Sequence, residues 1–379
     1  MKDYVFTPGP VPVPSGALIE MARPIIHHRT AEFEAIMEKV RSDLKYIFCT
    51  SREVMILASS GTGAMEAAVS NTLCRGDKAI VINSGKFGER WGKICRAFGI
   101  ECDEIEVEWG RAADPALIRE KLENDPSVRA VLMQASETST GIKNPTAEIA
   151  AITRERDDVI LIVDGITAVG AFPLPFDELG IDVLVAGSQK AFMLPPGLAF
   201  AAMSGKAWEF NKRSDLPKFY FDFAAALKSA DKNTTPWTPA VSLIRGLSEV
   251  LKMFVSEGLE NMHNRHRVFS LATRSAFEAM NMELFTKDEP SPALSVAIAP
   301  PEIGAGPVIK ALKDDFKMTV AGGQDQAKGK IFRVSHIGYI DKSDTIAVIS
   351  AVEQVLAKMG HSFDFGAGME KAAEILNDG

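Results

Sequence analysis

A lone lysine in an apolar stretch of the chain has the residue type and the setting that imine chemistry needs. Lys190 lies between the apolar run Val183–Ala186 and a second apolar segment that contains Pro195-Pro196-Gly197. A buried ammonium is costly unless it is paired or its pKa falls. A desolvated amine keeps a neutral fraction near neutral pH and can attack a carbonyl carbon. Taken alone, the segment fits equally well a lysine that simply reaches solvent at a strand end.

Asp164 supplies an acidic partner for this lysine. It ends Val159–Val163, a β-branched and apolar run that is typical of a strand buried on both faces of a parallel sheet. Open α/β sheets bind ligands at the carboxyl ends of their strands. Pyridoxal phosphate needs a lysine that holds its aldehyde as an imine and an acid that keeps its pyridine nitrogen protonated. Lys190 and Asp164 together therefore predict a pyridoxal-phosphate site.

The turn Ser59–Gly63 is a candidate anion site. It joins a predicted strand, Val54–Ala58, to a helix predicted from Ala64 to about Leu73. The free N–H groups and the positive end of the dipole converge at a helix N-terminus. A short turn of this kind suits one phosphate monoester. The dinucleotide fingerprint fails here at its third glycine and no GxxxxGK[ST] motif is present, which argues against a nucleotide-binding dehydrogenase.

The elements that position these residues alternate between strand and helix. Further strands are predicted at 79–83, 105–107 and 130–133, each followed by a helix, and the polar clusters come just after the strands. This alternation predicts an α/β fold with a mostly parallel sheet between helices. Two long helices, 241–258 and 259–280, lead to a smaller α+β part. The predicted units are an N-terminal arm (1–15), a large cofactor-binding domain (16–257) and a small C-terminal domain (258–379).

Arg333 is the one charged residue of the late strand segment Phe332–Ser335, which follows a glycine- and lysine-rich stretch, 321–330, predicted to be a mobile loop. The planar guanidinium binds a carboxylate bidentately. The carboxylate can belong to a ligand or to the protein, and the segment alone leaves both possibilities open.

Composition excludes several function classes. The 379 residues carry a formal net charge of −8, which argues against a nucleic-acid partner. The first residues lack the apolar core of a signal peptide, and the longest apolar stretch, Val183–Met203, is interrupted by Gln189, Lys190 and two prolines, so we expect a cytoplasmic protein without a membrane span. The four cysteines match no metal motif, and the His27-His28 pair lacks partners at ligand spacing, so no metal site is expected.

The chain resembles the class V aminotransferases of fold-type I, in particular the alanine–glyoxylate and serine–glyoxylate (serine–pyruvate) aminotransferases. The resemblance runs through nearly the whole chain. It is carried by Thr7-Pro8-Gly9-Pro10, Ser60-Gly61-Thr62-Gly63, Gly187-Ser188-Gln189-Lys190 and the late Arg333. It implies a large domain built on a mostly parallel, seven-stranded type of sheet flanked by helices, and a smaller C-terminal α+β domain.

The resemblance also implies a role for each matching residue. Lys190 would form the internal imine and shuttle a proton, and Asp164 would pair with the pyridinium nitrogen. Phe87 would stack on the cofactor ring, and the Thr138 hydroxyl would approach the ring oxygen. Arg333 would bind the substrate α-carboxylate. The implied phosphate ligands are Ser60, Gly61, Thr62, Gln189 and, from the other subunit of a homodimer with shared active sites, Thr238.

The reaction implied is a ping-pong transamination. A small amino acid (alanine, serine or aspartate) would give its amino group to a 2-oxo acid such as glyoxylate or pyruvate. Phosphonate or phosphoserine transaminases of the same fold remain alternatives, with His28, Arg29 and Arg245 as conceivable phosphate binders. A cysteine desulfurase or related lyase is disfavoured because no cysteine follows Cys102. A pyridoxal-phosphate-binding protein without catalysis is disfavoured because both Lys190 and Arg333 are present. A contact of His28 with substrate is a further hypothesis.

Overall fold

The structure, a computed structural model, describes residues 3–378, whose strands form a seven-stranded sheet, a four-stranded sheet and a two-stranded sheet. The strands are β1 (Tyr4–Phe6), β2 (Val54–Leu57), β3 (Lys78–Asn83), β4 (Glu101–Glu106), β5 (Val128–Gln134), β6 (Ser136–Glu137), β7 (Ile142–Lys143), β8 (Ile160–Asp164), β9 (Val183–Gly187), β10 (Ala199–Met203), β11 (Leu294–Ile298), β12 (Met318–Gly322) and β13 (Ile331–Ser335).

The helices lie between these strands and at the C-terminal end. They are α1 (Ser15–Ala22), α2 (Ala31–Phe48), α3 (Gly61–Thr72), α4 (Lys86–Phe98), α5 (Pro115–Asn124), α6 (Thr146–Thr153), α7 (Phe176–Leu179), α8 (Gly205–Arg213), α9 (Phe223–Ala230), α10 (Val241–Glu257), α11 (Leu259–Ala279), α12 (Ala305–Phe316), α13 (Lys342–Lys358) and α14 (Ala367–Asp378). A 3₁₀ turn, Asp325–Ala327, lies between β12 and β13.

The large sheet has seven strands in the order β2-β10-β9-β8-β5-β3-β4. The β9-β8-β5-β3-β4 part is parallel, and β10 is antiparallel to both of its neighbours. Because β2 and β9 are both antiparallel to β10, they run in the same direction. Apolar clusters cover both faces of this sheet. The predicted α/β architecture with a mostly parallel sheet is confirmed.

Two helices begin earlier than the sequence pattern predicted. α3 begins at Gly61 instead of Ala64, and α4 begins at Lys86 instead of Glu89. The glycines and small residues in these turns have weak helix propensity, which hides the first turn from a periodicity argument. The shift matters for function, because it places Thr62 and Phe87 in the first turns of their helices.

The second sheet has four strands in the order β1-β12-β13-β11. β1 pairs in parallel with β12, so residues 4–6 of the N-terminal segment belong to the sheet formed by C-terminal strands. Gly258, with φ +80°, separates α10 from α11 at the boundary predicted between the two domains. The division at residue 257 stays a prediction. Among residues 3–378 no helix is both long and apolar enough to cross a bilayer, and the cytoplasmic location stays a prediction.

Candidate active site

The carboxyl ends of the parallel strands bring most of the predicted site residues to one edge of the large sheet. Asp164 ends β8, and Lys190 lies three residues beyond the end of β9. Thr138 follows β5, Phe87 follows β3, and Ser60 follows β2. Since these strands run in the same direction, their ends meet on the same side of the sheet.

Lys190 is buried, with 8% of its surface exposed. Its Nζ donates a hydrogen bond to the carbonyl oxygen of Pro8 in the N-terminal segment. Burial lowers the pKa of Lys190 to about 8, with the positive charges of Arg333 and Arg90 acting in the same direction and Asp164 opposing them. An amine with this pKa has a substantial neutral fraction near pH 7, which a nucleophile needs.

Asp164 is buried beside this lysine. Its Oδ1 accepts a hydrogen bond of 2.8 Å from the backbone N–H of Ile166. Burial raises the pKa of Asp164 to about 7; the Ile166 hydrogen bond and the charges of Arg90 and Lys190 act in the opposite direction. The carboxylate therefore lies in a site where a cationic partner would stabilise its charged form strongly.

Phe87 faces the same space. The Nζ of Lys190 lies 6.0 Å from the centroid of the Phe87 ring. The backbone that carries this ring is fixed by Glu137, whose Oε2 accepts hydrogen bonds of 3.0 Å from the N–H groups of Phe87 and Gly88. The sequence argument did not identify Glu137.

Glu137 and Ser139 close the N-terminus of α4. The Oε1 of Glu137 accepts from both the N–H and the hydroxyl of Ser139, at 3.0 and 2.6 Å, and the Ser139 hydroxyl accepts from the N–H of Lys86 at 3.1 Å. Burial raises the pKa of Glu137, while these hydrogen bonds lower it. A signal for this residue existed: it is the one charged residue in the polar run after β5.

The N-terminus of α3 differs, because Ser60 precedes it without capping it through its side chain. Helix N-termini carry N–H groups that need acceptors from outside the helix. A Cβ on Gly61 would lie 2.4 Å from Ile166 Cδ1, so only glycine allows the turn to pack this closely. Gln189 lies nearby, since a Cβ on Gly187 would be 3.1 Å from its Oε1 and 3.6 Å from Gly61 Cα. This Oε1 is buried without a hydrogen-bond partner.

Arg333 lies buried in β13 and points toward the loop after β5. Its Nε and Nη2 donate to the carbonyl oxygen of Gly322, at 3.0 and 2.7 Å, and its Nη1 donates to the carbonyl oxygen of Thr138 at 2.7 Å. Burial lowers the pKa of Arg333 to about 10, with Glu137 opposing the shift. These bonds use three of the five guanidinium N–H groups and leave one on each terminal nitrogen.

Thr238 is the predicted site residue that lies apart. It is exposed, and it lines a cavity of about 30 Å³ together with Tyr220 and Trp237, whereas Lys190 does not line that cavity.

Arg90, which the sequence argument also missed, contacts two of the predicted site residues. Its Nη1 donates to Thr62 Oγ1 at 3.0 Å, and its guanidinium carbon lies 4.7 Å from the Phe87 ring centroid.

The candidate phosphate binders outside this edge have other partners. Arg245 lies 3.4 Å from the carboxylate of Glu20. His27 and His28 lie in the loop between α1 and α2, with ring centroids 4.6 Å apart. Within residues 3–378 no group of three or more His, Cys, Asp or Glu side chains is arranged to hold a metal ion.

Comparison with known proteins connects this geometry to a family. Residues 20–355 match the family model described as Aminotransferase class-V. The chain is 43% identical to the soluble hydrogenase 42 kDa subunit of Anabaena cylindrica, over 100% of this chain and 99% of that protein. It is 32% identical to L-aspartate–glyoxylate aminotransferase of Paracoccus denitrificans, over 98% and 96% of the two chains. The crystal structure of a subgroup IV aspartate aminotransferase from Thermus thermophilus superposes with a TM-score of 0.88 at 30% identity, over 94% of this chain and 99% of that one.

Proposed function

This chain belongs to the class-V aminotransferases, and we propose that it transfers the amino group of alanine, serine or aspartate to glyoxylate or pyruvate by a ping-pong reaction. Family membership makes it a pyridoxal-phosphate-dependent aminotransferase of the α/β, fold-type I class that acts on amino acids and keto acids. The choice of donor and acceptor and the roles of individual residues are the proposed part.

The residues at the strand ends fit pyridoxal 5′-phosphate. The α3 N-terminus offers N–H groups at Gly61 and Thr62 with the Ser60 and Thr62 hydroxyls beside them, which suits a phosphate. Gln189 lies near this turn, and its amide NH₂ group can donate to a phosphate, whereas its buried Oε1 accepts only. By contrast, the N–H groups that begin α4 are already occupied by Glu137 and Ser139. We therefore assign the phosphate to α3.

Lys190 and Asp164 are proposed as the catalytic pair. Pyridoxal phosphate, when bound, supplies an aldehyde for an amine and an electron-accepting ring. Lys190, whose pKa is lowered, would hold that aldehyde through Nζ and would serve as the base that takes the proton from the substrate α-carbon. Asp164 uses Oδ1 to accept from Ile166, which leaves Oδ2 to hold the proton on the pyridine nitrogen. Phe87, whose ring lies 6.0 Å from Lys190 Nζ, would position the cofactor ring by stacking, and the Thr138 hydroxyl would approach that ring from the loop after β5.

Arg333 is proposed to bind the substrate α-carboxylate. Carbonyl groups at Gly322 and Thr138 fix the orientation of its guanidinium, and one N–H on each terminal nitrogen remains to donate to a carboxylate. The observation that carries the proposal is this combination. An amine with a lowered pKa, a buried carboxylate and an oriented guanidinium lie near the N-terminus of α3, which has no side-chain cap.

The names of two similar proteins support the proposal of amino acid and 2-oxo acid substrates. The Paracoccus denitrificans relative is named for aspartate and glyoxylate, and the Thermus thermophilus neighbour is named for aspartate. Both names fit a substrate that presents a carboxylate to Arg333. The Anabaena cylindrica relative is named as a hydrogenase subunit, and that name describes that protein alone.

A homodimer with shared sites is the proposed assembly. Thr238 lines a cavity that Lys190 does not line, together with Trp237 and the half-exposed Tyr220. Phe219 is 75% exposed and lies 4.7 Å from the Trp237 ring, next to the half-exposed Tyr220. Exposed apolar patches of this kind mark interaction sites. Analytical ultracentrifugation should give a dimer that Trp237→Asp weakens; a wild-type monomer with full activity would refute this assembly.

The test of the function is the visible spectrum of the purified protein during single additions of alanine, serine and aspartate without an acceptor. We expect a yellow protein that bleaches with one of these donors and regains its colour with glyoxylate or pyruvate. A yellow protein that ignores all three would favour a phosphonate or phosphoserine donor. A colourless protein that pyridoxal phosphate cannot restore would refute the site. Lys190→Ala should lose the yellow colour, and its turnover should fall by more than about a thousandfold. Lys228→Ala, on the surface of α9, should retain both the colour and the turnover.

A further inference from the structure

Arg90 lies between two residues of the proposed cofactor site but is itself absent from the set that the sequence suggested. It is half-buried in the second turn of α4. Its Nη1 donates a 3.0 Å hydrogen bond to Thr62 Oγ1, and its guanidinium lies over the ring of Phe87, 4.7 Å from the centroid. One side chain therefore contacts both the proposed phosphate ligand and the proposed stacking ring.

The hydrogen bond to Thr62 restricts what the threonine hydroxyl can do. An arginine side chain only donates hydrogen bonds, so the hydroxyl oxygen must accept from it. The hydroxyl proton cannot point at Arg90 and is left for an acceptor elsewhere. Phosphate oxygens are strong acceptors, and the hydroxyl lies in the first turn of α3, where a phosphate is proposed to bind. Arg90 thus sets the Thr62 hydroxyl as a donor toward the phosphate.

The positive charge of Arg90 is not used in an ion pair with any carboxylate of the described residues. Among the ion pairs found within residues 3–378, none includes Arg90, whereas Arg96 on the same helix pairs with Glu104. Half-buried arginines near carboxylates commonly pair with them. Here the positive charge lies against Thr62 in the first turn of α3, where it adds to the positive end of the helix dipole, and it also acts on Asp164 and Lys190. This arrangement is what a dianionic phosphate monoester needs.

We propose that Arg90 is a positioning residue for the cofactor phosphate, which acts by fixing the Thr62 hydroxyl as a donor and by adding positive charge at the N-terminus of α3. The proposal rests on the assignment of that N-terminus to the phosphate. The competing explanation is structural: Arg90 would only connect α3 to α4 and support the Phe87 ring.

Binding of two cofactor forms to the apoprotein separates these explanations. Pyridoxal carries the ring and the aldehyde, and pyridoxal phosphate adds the phosphate. In Arg90→Gln we expect the dissociation constant of pyridoxal phosphate to rise about tenfold or more, as for loss of a charge-assisted contact, and that of pyridoxal to change less than about twofold. Arg96→Gln, on the exposed side of the same helix, is the matched control and should change neither constant.

The pathway through Thr62 is tested by combining variants. Thr62→Val alone should weaken pyridoxal phosphate selectively, and in the Arg90→Gln background it should weaken it further by clearly less than in the wild type. Arg90→Lys keeps the charge but not the planar fork, so it should give an intermediate loss. It also serves as the measured variant if Arg90→Gln does not fold.

Three results would overturn the inference. Equal weakening of both cofactor forms would mean that Arg90 acts through the ring or the fold. Unchanged binding of pyridoxal phosphate in Arg90→Gln would mean that Arg90 does not act on the cofactor. Fully additive losses in the double variant would exclude the route through Thr62. If Thr62→Val shows a selective loss while Arg90→Gln does not, the phosphate site stands and only the role of Arg90 fails. If neither variant affects the phosphate form selectively, the assignment of the phosphate to α3 fails.

Discussion

Lys190 donates a hydrogen bond to the carbonyl oxygen of Pro8, which lies 182 residues earlier in the chain. The N-terminal segment therefore lies against the proposed catalytic amine and forms one wall of its site. Gly9, the next residue, lies so close that a Cβ there would be 2.7 Å from Lys190 Cδ, Cε and Nζ. Pro8 and Gly9 of the predicted N-terminal arm thus border the proposed active site.

Gly9→Ala should disable the site without unfolding the protein. Gly9 has φ +113°, which an L-residue rarely adopts, and the new methyl group would collide with the Lys190 side chain. Because a misplacement of about 1 Å can cost about a hundredfold in rate, we expect turnover to fall on the order of a hundredfold. Steady-state kinetics and thermal unfolding measure the two quantities separately.

The matched control for this substitution is Gly16→Ala in α1. A Cβ there would meet Glu249 at an ordinary 3.6 Å, and alanine is the better helix former. Activity should be unchanged and stability equal or slightly higher. Equal activity of Gly9→Ala and Gly16→Ala would show that the contact between the arm and Lys190 has no functional weight.

The lowered pKa of Lys190 predicts how cofactor attachment depends on pH. Only the neutral amine attacks the aldehyde, and the pKa of about 8 means that this form predominates above about pH 8. The rate at which pyridoxal phosphate attaches to the apoprotein should therefore rise with pH up to about 8 and then level off. An ordinary lysine would give a rise that continues toward about pH 10. Stopped-flow absorbance across this pH range measures the inflection.

Asp164→Asn tests the direction of the coupling. The Asp164 carboxylate raises the pKa of Lys190, so its removal should move the inflection to lower pH. Asp158→Asn is the control, because Asp158 is exposed near the opposite end of the same strand. An inflection that stays in place, or moves upward, in Asp164→Asn would contradict the proposed interaction of the two groups.

The sequence predicted the residues that stand at strand ends and left out those that support them. Lys190, Asp164 and Arg333 were identifiable because each is a charged residue within or next to an apolar strand, and the family resemblance then implied a role for each. Glu137 and Arg90 were missed because their partners lie far away in the chain, such as Phe87 for Glu137, 50 residues earlier. Pairing of β1 with β12 was equally hidden, since three residues carry too little pattern to reveal a strand. Contacts of this kind follow from the closed fold, not from local propensity.

Glu137→Gln should destabilise the protein and weaken cofactor binding. Each carboxylate oxygen of Glu137 accepts two hydrogen bonds, and an amide group replaces one of these oxygens with a donor. If the amide keeps its oxygen toward Phe87 and Gly88, its NH₂ group faces the Ser139 N–H and the Ser139 hydroxyl, and only the hydroxyl can turn to accept. One buried N–H therefore loses its acceptor, which we expect to cost about 1–3 kcal/mol. Denaturant unfolding of the apoprotein measures this cost, and cofactor titration measures the displacement of Phe87. Glu120→Gln on the exposed face of α5 is the control; a loss as small as its own would contradict a supporting role for Glu137.

The ion pair between Lys86 and Asp325 connects the residue before Phe87 to the turn that follows Gly322. Its Nζ–Oδ2 distance is 2.6 Å, and the Asp325 carboxylate is more than half exposed, so we expect less than about 1 kcal/mol from it. Because the Gly322 carbonyl orients Arg333, loss of the pair in Asp325→Asn should raise KM for the amino donor by about 1.4- to 5-fold, with kcat changed less.

Measuring the same KM ratio at several salt concentrations is the control for this prediction. Ions screen an exposed pair, with a Debye length of about 10 Å at 0.1 M and about 3 Å at 1 M. The ratio of KM in Asp325→Asn to KM in the wild type should therefore approach one as salt rises, even though salt also weakens substrate binding in both proteins. Asp314→Asn removes an exposed pair with Lys310 on α12 and should give a ratio of one at every salt concentration. A ratio for Asp325→Asn that stays constant with salt would show that the segment is held by its backbone contacts and not by the charge pair.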